Sequence, residues 1–240
     1  MSFTSMSQLN MNRTHALQQW MGVELDAVSA KEKIISMLGG FVSIVLIVSI
    51  SQNLLHLHGA SMLIASMGAS AVLLFAVPHG QLSQPWPVLA GHVFSALIGV
   101  TCARIIPIVP LAAGCAVGLA ILVMHQLKCI HPPGGATALT AVIGGASIKS
   151  LGYNFVLYPV LLNALTIVTV AVAFNFLFQW RRYPAFWNHN PSLSLPGVGP
   201  SHESVVEALR SLDSFVDITE DDLLQLHRLL SEERQVKSVK

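Results

Sequence analysis

Hydrophobic and polar positions divide this chain into a long apolar middle and two polar ends. Six apolar segments follow one another: Ile34 to Leu54, Ser61 to Val77, Pro87 to Ile106, Pro110 to Leu127, Pro133 to about Ile148, and Phe155 to Phe178. A membrane-crossing helix needs about 20 apolar residues, so the first, third, fourth and sixth read as long spans. The second and fifth are shorter and read as motif helices, either spanning or re-entrant. The pattern predicts an all-α polytopic membrane protein. Residues 1–30 read as a polar N-terminal segment without a signal-peptide pattern, so the first apolar segment is expected to stay as an anchor. Residues 31–184 form the membrane domain, and 185–200, rich in Pro and Gly, reads as a linker. In 201–240 the apolar residues Val205, Leu209 and Leu212, then Leu223, Leu226 and Leu230, fall at helical spacing. That predicts a short amphipathic helical tail.

Charge sharpens the picture. All 12 Asp and Glu residues lie at or before Glu32 or at or after Glu203. Between those positions the cations are Lys33, Arg104, Lys128, Lys149, Arg181 and Arg182. A soluble domain would scatter both signs over its surface. Arg13, Lys31 and Lys33 precede the first span, and Arg181 and Arg182 follow the last, which predicts two cytoplasmic termini in a cell (inner) membrane. Nothing in the chain suggests a nucleic-acid partner.

One stretch stands out inside the apolar middle: His131-Pro132-Pro133-Gly134-Gly135-Ala136-Thr137-Ala138-Leu139-Thr140. Two prolines stop an incoming helix and start a new one. Two glycines then bare the backbone to close approach. Irregular backbone at membrane depth survives only where protein or a watery cavity covers it, so the stretch reads as a site. It also has a partner. Gly68-Ala69-Ser70-Ala71-Val72 matches Gly135-Ala136-Thr137-Ala138-Leu139 in type at every position, and Trp86-Pro87-Val88-Leu89 matches Tyr158-Pro159-Val160-Leu161 in the same order. The chain is expected to hold an internal two-fold repeat, with halves of about 34–106 and 110–178. Transporters built from repeats place their sites at the repeat interface, where interrupted helices point their N-termini at an anion.

The polar side chains define the expected chemistry. Membrane carboxylates carry proton relays and bind cations, and here there are none. Hydroxyls, histidines and backbone amides remain, which suit a small anion or a neutral polar solute. The expected substrate-binding residues are Ser66, Gly68, Ala69 and Ser70 in the first motif, and His131, Gly134, Gly135, Ala136, Thr137 and Thr140 in the second. His131 can hold a proton beside an anion or cap the helix. The spacing of Cys102, Cys115 and Cys129 fits no metal site, and neither a metal nor another cofactor is expected. No nucleophile–base pair suggests an enzyme.

The run from His131 to Ala138 resembles the signature of the HPP family of integral membrane proteins. Ala65-Ser66-Met67-Gly68-Ala69-Ser70-Ala71-Val72-Leu73-Leu74-Phe75 and Gln84-Pro85-Trp86-Pro87-Val88-Leu89-Ala90-Gly91-His92 resemble two further blocks of that family. The resemblance covers roughly residues 31–184. It implies four spans, fewer than the six apolar segments, and transport of nitrite or a similar small anion. The expected function is a channel or carrier for a small monovalent anion, most simply nitrite, with the lipid bilayer and further copies of the chain as partners in a homo-oligomer. The alternative is a membrane sensor or scaffold that signals through its cytoplasmic tail.

Overall fold

A computed structural model describes residues 28–55, 61–188 and 223. The expected tail helices, most of the linker and the N-terminal segment before residue 28 lie outside the described residues. The chain up to Ile34 is a unit of its own. Its described part opens the first helix, where Ser29 Oγ accepts the Glu32 amide at 3.2 Å as an N-terminal cap.

The helices are α1 (Ala30–Leu55), α2 (Ser61–Ala76), α3 (Pro85–Ile105), α4 (Val109–Gln126), α5 (Pro132–Ile143), α6 (Gly145–Leu151) and α7 (Leu162–Phe176). A π-type turn, Val156–Leu161, leads into α7. Among the described residues, four helices are long and apolar enough to cross a membrane: Ala30–Gln52, Pro85–Ile105, Val109–Gln126 and Val156–Phe176. A shorter apolar helix covers Ala65–Ala76. At 1.5 Å per residue, α2 is about 24 Å long and α5 about 18 Å, against roughly 30 Å of hydrocarbon. Prolines at the first turn set the starts of α3, α4 and α5, since a missing N–H is harmless there.

Two segments differ from the sequence expectation. The second motif helix does not run to Ile148. It stops at Ile143, and the chain turns at Gly144 and Gly145, where Gly145 takes a φ of 83°. Only glycine adopts that conformation at little cost. The last segment is not one continuous helix from Phe155. Tyr158 leaves helical geometry (φ −130°, ψ 106°) just before Pro159, which has no N–H to give.

The helices meet through small residues and a few large ones. A Cβ on Gly99 would lie 2.5 Å from the Ala138 carbonyl oxygen, and one on Gly134 would lie 2.8 Å from that of Gly91. The backbones of α3 and α5 are therefore in direct contact, the close approach that small residues permit between membrane helices. Ala112, Ala116 and Ala120, one turn apart on α4, are all buried and join Ala138 and Val142 in one cluster. A second cluster gathers Met67, Leu74, Phe75, Val88, Val160 and Ile167.

The C-terminal end of α2 is held by a buried arginine. Arg181 Nη2 donates to the Phe75 carbonyl, Nε to Asn175 Oδ1 at 3.2 Å, and Nη1 to Ser36 Oγ at 3.2 Å. A cation at the carbonyl end of a helix complements its dipole. Arg181 thus acts as an internal fastener, where the charge pattern alone read it as a surface marker of orientation.

Candidate functional site

α2 contributes Ser66 and Ser70, one turn apart and on one face. Both are buried. α3 faces them with His92 and α5 with Thr137, while His131 stands immediately before α5 as its N-cap residue. All five side chains are essentially inaccessible. They form one connected set. Ser70 Oγ lies 2.9 Å from His92 Nε2 and 2.8 Å from His131 Nε2. His92 Nδ1 lies 2.8 Å from Thr137 Oγ1. Thr137 Oγ1 lies 3.2 Å from Ser66 Oγ. His131 Nδ1 ends the set against the Leu82 carbonyl oxygen at 2.8 Å. The two imidazole rings are 5.0 Å apart, edge to face.

Glycines let the histidines reach this position. A Cβ on Gly91 would lie 2.7 Å from His131 Cβ, and one on Gly134 would lie 2.9 Å from Ser95 Oγ. The turn between α2 and α3, which carries Leu82, is braced from outside. Ser83 Oγ donates to the Leu73 carbonyl at 3.0 Å, and Tyr183 Oη donates to that of Ser83 at 2.7 Å. Gln84 Nε2 donates to the Gly80 carbonyl at 2.9 Å, and its Oε1 accepts the Ala185 amide at 3.0 Å. The Leu82 carbonyl is therefore presented by a doubly fastened turn.

Of the residues expected at the site, the structure brings Ser66, Ser70, His131 and Thr137 together and sets Gly134 in the close contact beside them. Thr140 donates within its own helix, to the Ala136 carbonyl at 2.8 Å. Ala69 and Ala136 are exposed, and a Cβ on Gly68 or Gly135 would meet no atom within 4 Å. Those four positions point away from the cluster. Gly68 instead lines an apolar groove of about 360 Å³ with Gly40 and Phe41 of α1. His92 joins the site although motif reading passed over it. It lies in the second turn of an apolar span, where a single histidine reads as packing.

The cluster has no charged member and no carboxylate. All four imidazole nitrogens are engaged by hydroxyls or by a carbonyl, which leaves none for a metal. Among the described residues, no three His, Cys, Asp or Glu side chains converge as metal ligands. The helix start offers few free amides. Pro132 and Pro133 have no N–H, and the Gly134 amide is taken by the His131 carbonyl at 2.8 Å. Side chains, not backbone, supply the polar chemistry here.

Long apolar helices around a buried, uncharged polar cluster define a multi-span α-helical membrane protein embedded in a lipid bilayer. Comparison with known sequences places it further. The chain belongs to the HPP family: the family's transmembrane region matches residues 25–184. That makes it an integral membrane protein. It is 35% identical over 177 residues to a transmembrane protein of Dictyostelium discoideum, covering 71% of this chain and 56% of that protein. A second transmembrane protein of the same organism is 37% identical over 129 residues, covering 52% of this chain and 45% of its own. The chain thus spans about half the length of these relatives. No solved structure matches it.

Proposed function

We propose that this chain forms a membrane pathway for a small monovalent anion, with nitrite as its substrate, and that the cluster between α2, α3 and α5 is the selective element. One observation carries the reading. The polar side chains of this cluster are all hydroxyls and imidazoles, and no Asp or Glu occurs between Glu32 and Glu203. Such a site can offer donors to an anion and has no carboxylate to hold a cation or repel the anion.

The repeat belongs to the same proposal. Ser70 and Thr137 occupy matched positions, and each engages one nitrogen of His92. Gly68 and Gly135 are both open, and Ala69 and Ala136 both exposed. Each half runs long, short, long. The contact of Arg181 with Ser36 supports an even number of crossings. Three segments per half would make the halves inverted with respect to each other. With Arg181 buried, Arg13, Lys31, Lys33 and Arg182 remain as flanking charges that favour cytoplasmic termini. A homo-oligomer in the inner membrane completes the proposal.

The test is flux into proteoliposomes, comparing nitrite, nitrate, formate and chloride, with protein-free vesicles subtracted. Nitrite should pass fastest. Gly135→Leu is the companion variant, because a Cβ at that position meets no atom within 4 Å. It should block flux if the open face of α5 is part of the path. No flux of any of the four anions would overturn the proposal.

A further inference from the structure

The hydrogen-bond directions in the cluster are fixed from one end. The Leu82 carbonyl can only accept, so His131 Nδ1 carries a proton and donates to it at 2.8 Å. In the neutral ring, His131 Nε2 is then bare and accepts. Its partner is Ser70, whose single hydroxyl proton is thereby used, at 2.8 Å. Ser70 Oγ must in turn accept from His92, so His92 carries its proton on Nε2, at 2.9 Å. His92 Nδ1 is left bare and accepts from the Thr137 hydroxyl at 2.8 Å, so the one proton of that hydroxyl goes to the ring in preference to Ser66 Oγ at 3.2 Å and the Pro133 carbonyl at 3.4 Å. The two neutral histidines are therefore opposite tautomers, joined by one hydroxyl.

The same geometry accommodates one more proton. Ser70 Oγ also lies 3.2 Å from the Ser66 carbonyl oxygen. If a proton adds to His131 Nε2, the Ser70 hydroxyl turns to that carbonyl, and Ser70 Oγ accepts from both rings. No other bond breaks, and the ring gains one positive charge. A second proton would put two like charges on rings 5.0 Å apart. We propose that the His92–Ser70–His131 bridge binds a single proton, with Ser70 as its rotating switch, and that the anion crosses together with this proton.

The hydrogen bonds of both rings go to Ser70, Thr137 and the Leu82 carbonyl, so none of the bonds joins the pair to another ionisable group. α2 and α5 carry no ionisable side chain. α3 adds only Cys102 and Arg104, about 15 Å or more further along the helix. α4 carries Cys115 and His125, and Tyr158 lies in the turn before α7. His79 belongs to the turn after α2, and Tyr183 braces that turn through Ser83. Lys128 and Cys129 precede His131. The added charge would sit beside an incoming anion and neutralise it, which makes the pair cross as an uncharged unit.

The binding of the proton rests on the hydrogen-bond geometry alone. Its coupling to an anion rests on the function proposed above. The experiment has two arms. In the first, nitrogen-15 NMR of the histidine rings is recorded for the full chain in bilayers. His131 should appear as the Nδ1–H form and His92 as the Nε2–H form, and lowering the pH should add one proton to the pair well before a second. His92→Gln and His131→Gln assign the signals. Ser70→Ala keeps both rings and their mutual repulsion, but removes the hydroxyl that receives the first proton's hydrogen bond, so that first proton should bind only at a lower pH. Identical tautomers, or two independent titrations in the unaltered chain, would overturn the proton site. In the second arm, proteoliposomes carry an internal pH dye and a nitrate gradient. Nitrate is used because its acid does not cross bilayers by itself. One proton per anion is expected. Anion flow without protons would overturn the coupling and leave the anion pathway standing. Absence of nitrate flow would overturn the coupling, and absence of flow for all four anions compared above would overturn the anion pathway as well, with the proton site still decided by the first arm.

Discussion

α2 is held twice by buried polar groups: at its middle by His92 and His131 through Ser70, and at its C-terminal end by Arg181. Both sets are shielded from solvent, and both satisfy their partners with several hydrogen bonds. They differ in chemistry. A guanidinium keeps its charge at every pH a protein survives and offers donors only. Imidazoles and hydroxyls can exchange donor for acceptor, and an imidazole can also take up a proton. The first kind of cluster fixes a helix end. The second can change state without leaving a group unpaired. Burial of polar groups alone does not mark a working site, whereas the capacity to rearrange at constant bonding does.

Breaking the fixed cluster should have the largest effect on the fold. Arg181→Met removes donors to the Phe75 carbonyl, Asn175 and Ser36 together. Each buried group left unpaired costs about 1–3 kcal/mol, so thermal unfolding in detergent should show a loss of about 3 kcal/mol or more, equal at pH 6 and pH 8. Arg181→Lys should restore only part, since one ammonium cannot copy the guanidinium fork.

Crowding the switchable cluster comes next. Gly91→Ala puts a methyl group 2.7 Å from His131 Cβ, and overpacking of this kind costs about 1–3 kcal/mol. It should also displace the ring and reduce flux. Gly114→Ala is the control on an exposed helix position, where a Cβ meets nothing within 4 Å. It should leave the unfolding temperature unchanged or raise it slightly.

Ser70→Ala sharpens the comparison. It removes the bridge and leaves two ring nitrogens facing each other, at about 1–2 kcal/mol of stability. Flux should fall far more than that modest loss of stability explains. The smallest effect concerns the brace around Leu82. Burial pushes the Tyr183 phenol up from its ordinary value. A group whose pKa is raised in the folded state contributes fully below its unfolded value, about pH 10 for tyrosine, and loses that contribution as pH rises through the folded one. Tyr183→Phe should therefore lower stability by about 1 kcal/mol at pH 8, and the gap should narrow in strong alkali.

Much of the architecture is legible along the chain because membrane helices advertise themselves by length and by absence of charge. The four long spans lie within a few residues of the expected ends. The break at Gly144 was hidden, since two glycines in a run of small residues read equally well as helix packing. The interruption at Tyr158 escaped because a proline in the first turns of a span often does no harm. At the site, Ser66 and Ser70 are one turn apart and share a face, and Thr137 lies one turn after Gly134 and His131 just before the helix. Each of the four was visible as a polar residue in an apolar setting. Helical geometry also separates Gly68 and Ala69 from that face, at roughly 100° per residue. His92 and the Leu82 carbonyl could not be found this way. One sits alone in a span, the other is backbone, and only the crossing of α2, α3 and α5 brings them to Ser70.

The most direct test of the central claim is nitrite flux through proteoliposomes bearing the unaltered chain or Ser70→Ala, each first shown to be folded by thermal unfolding. The unaltered chain should carry nitrite, and Ser70→Ala should fold yet carry it at least about tenfold more slowly, equivalent to about 1.4 kcal/mol in the barrier. Equal flux through both would remove the cluster from the pathway and contradict the account.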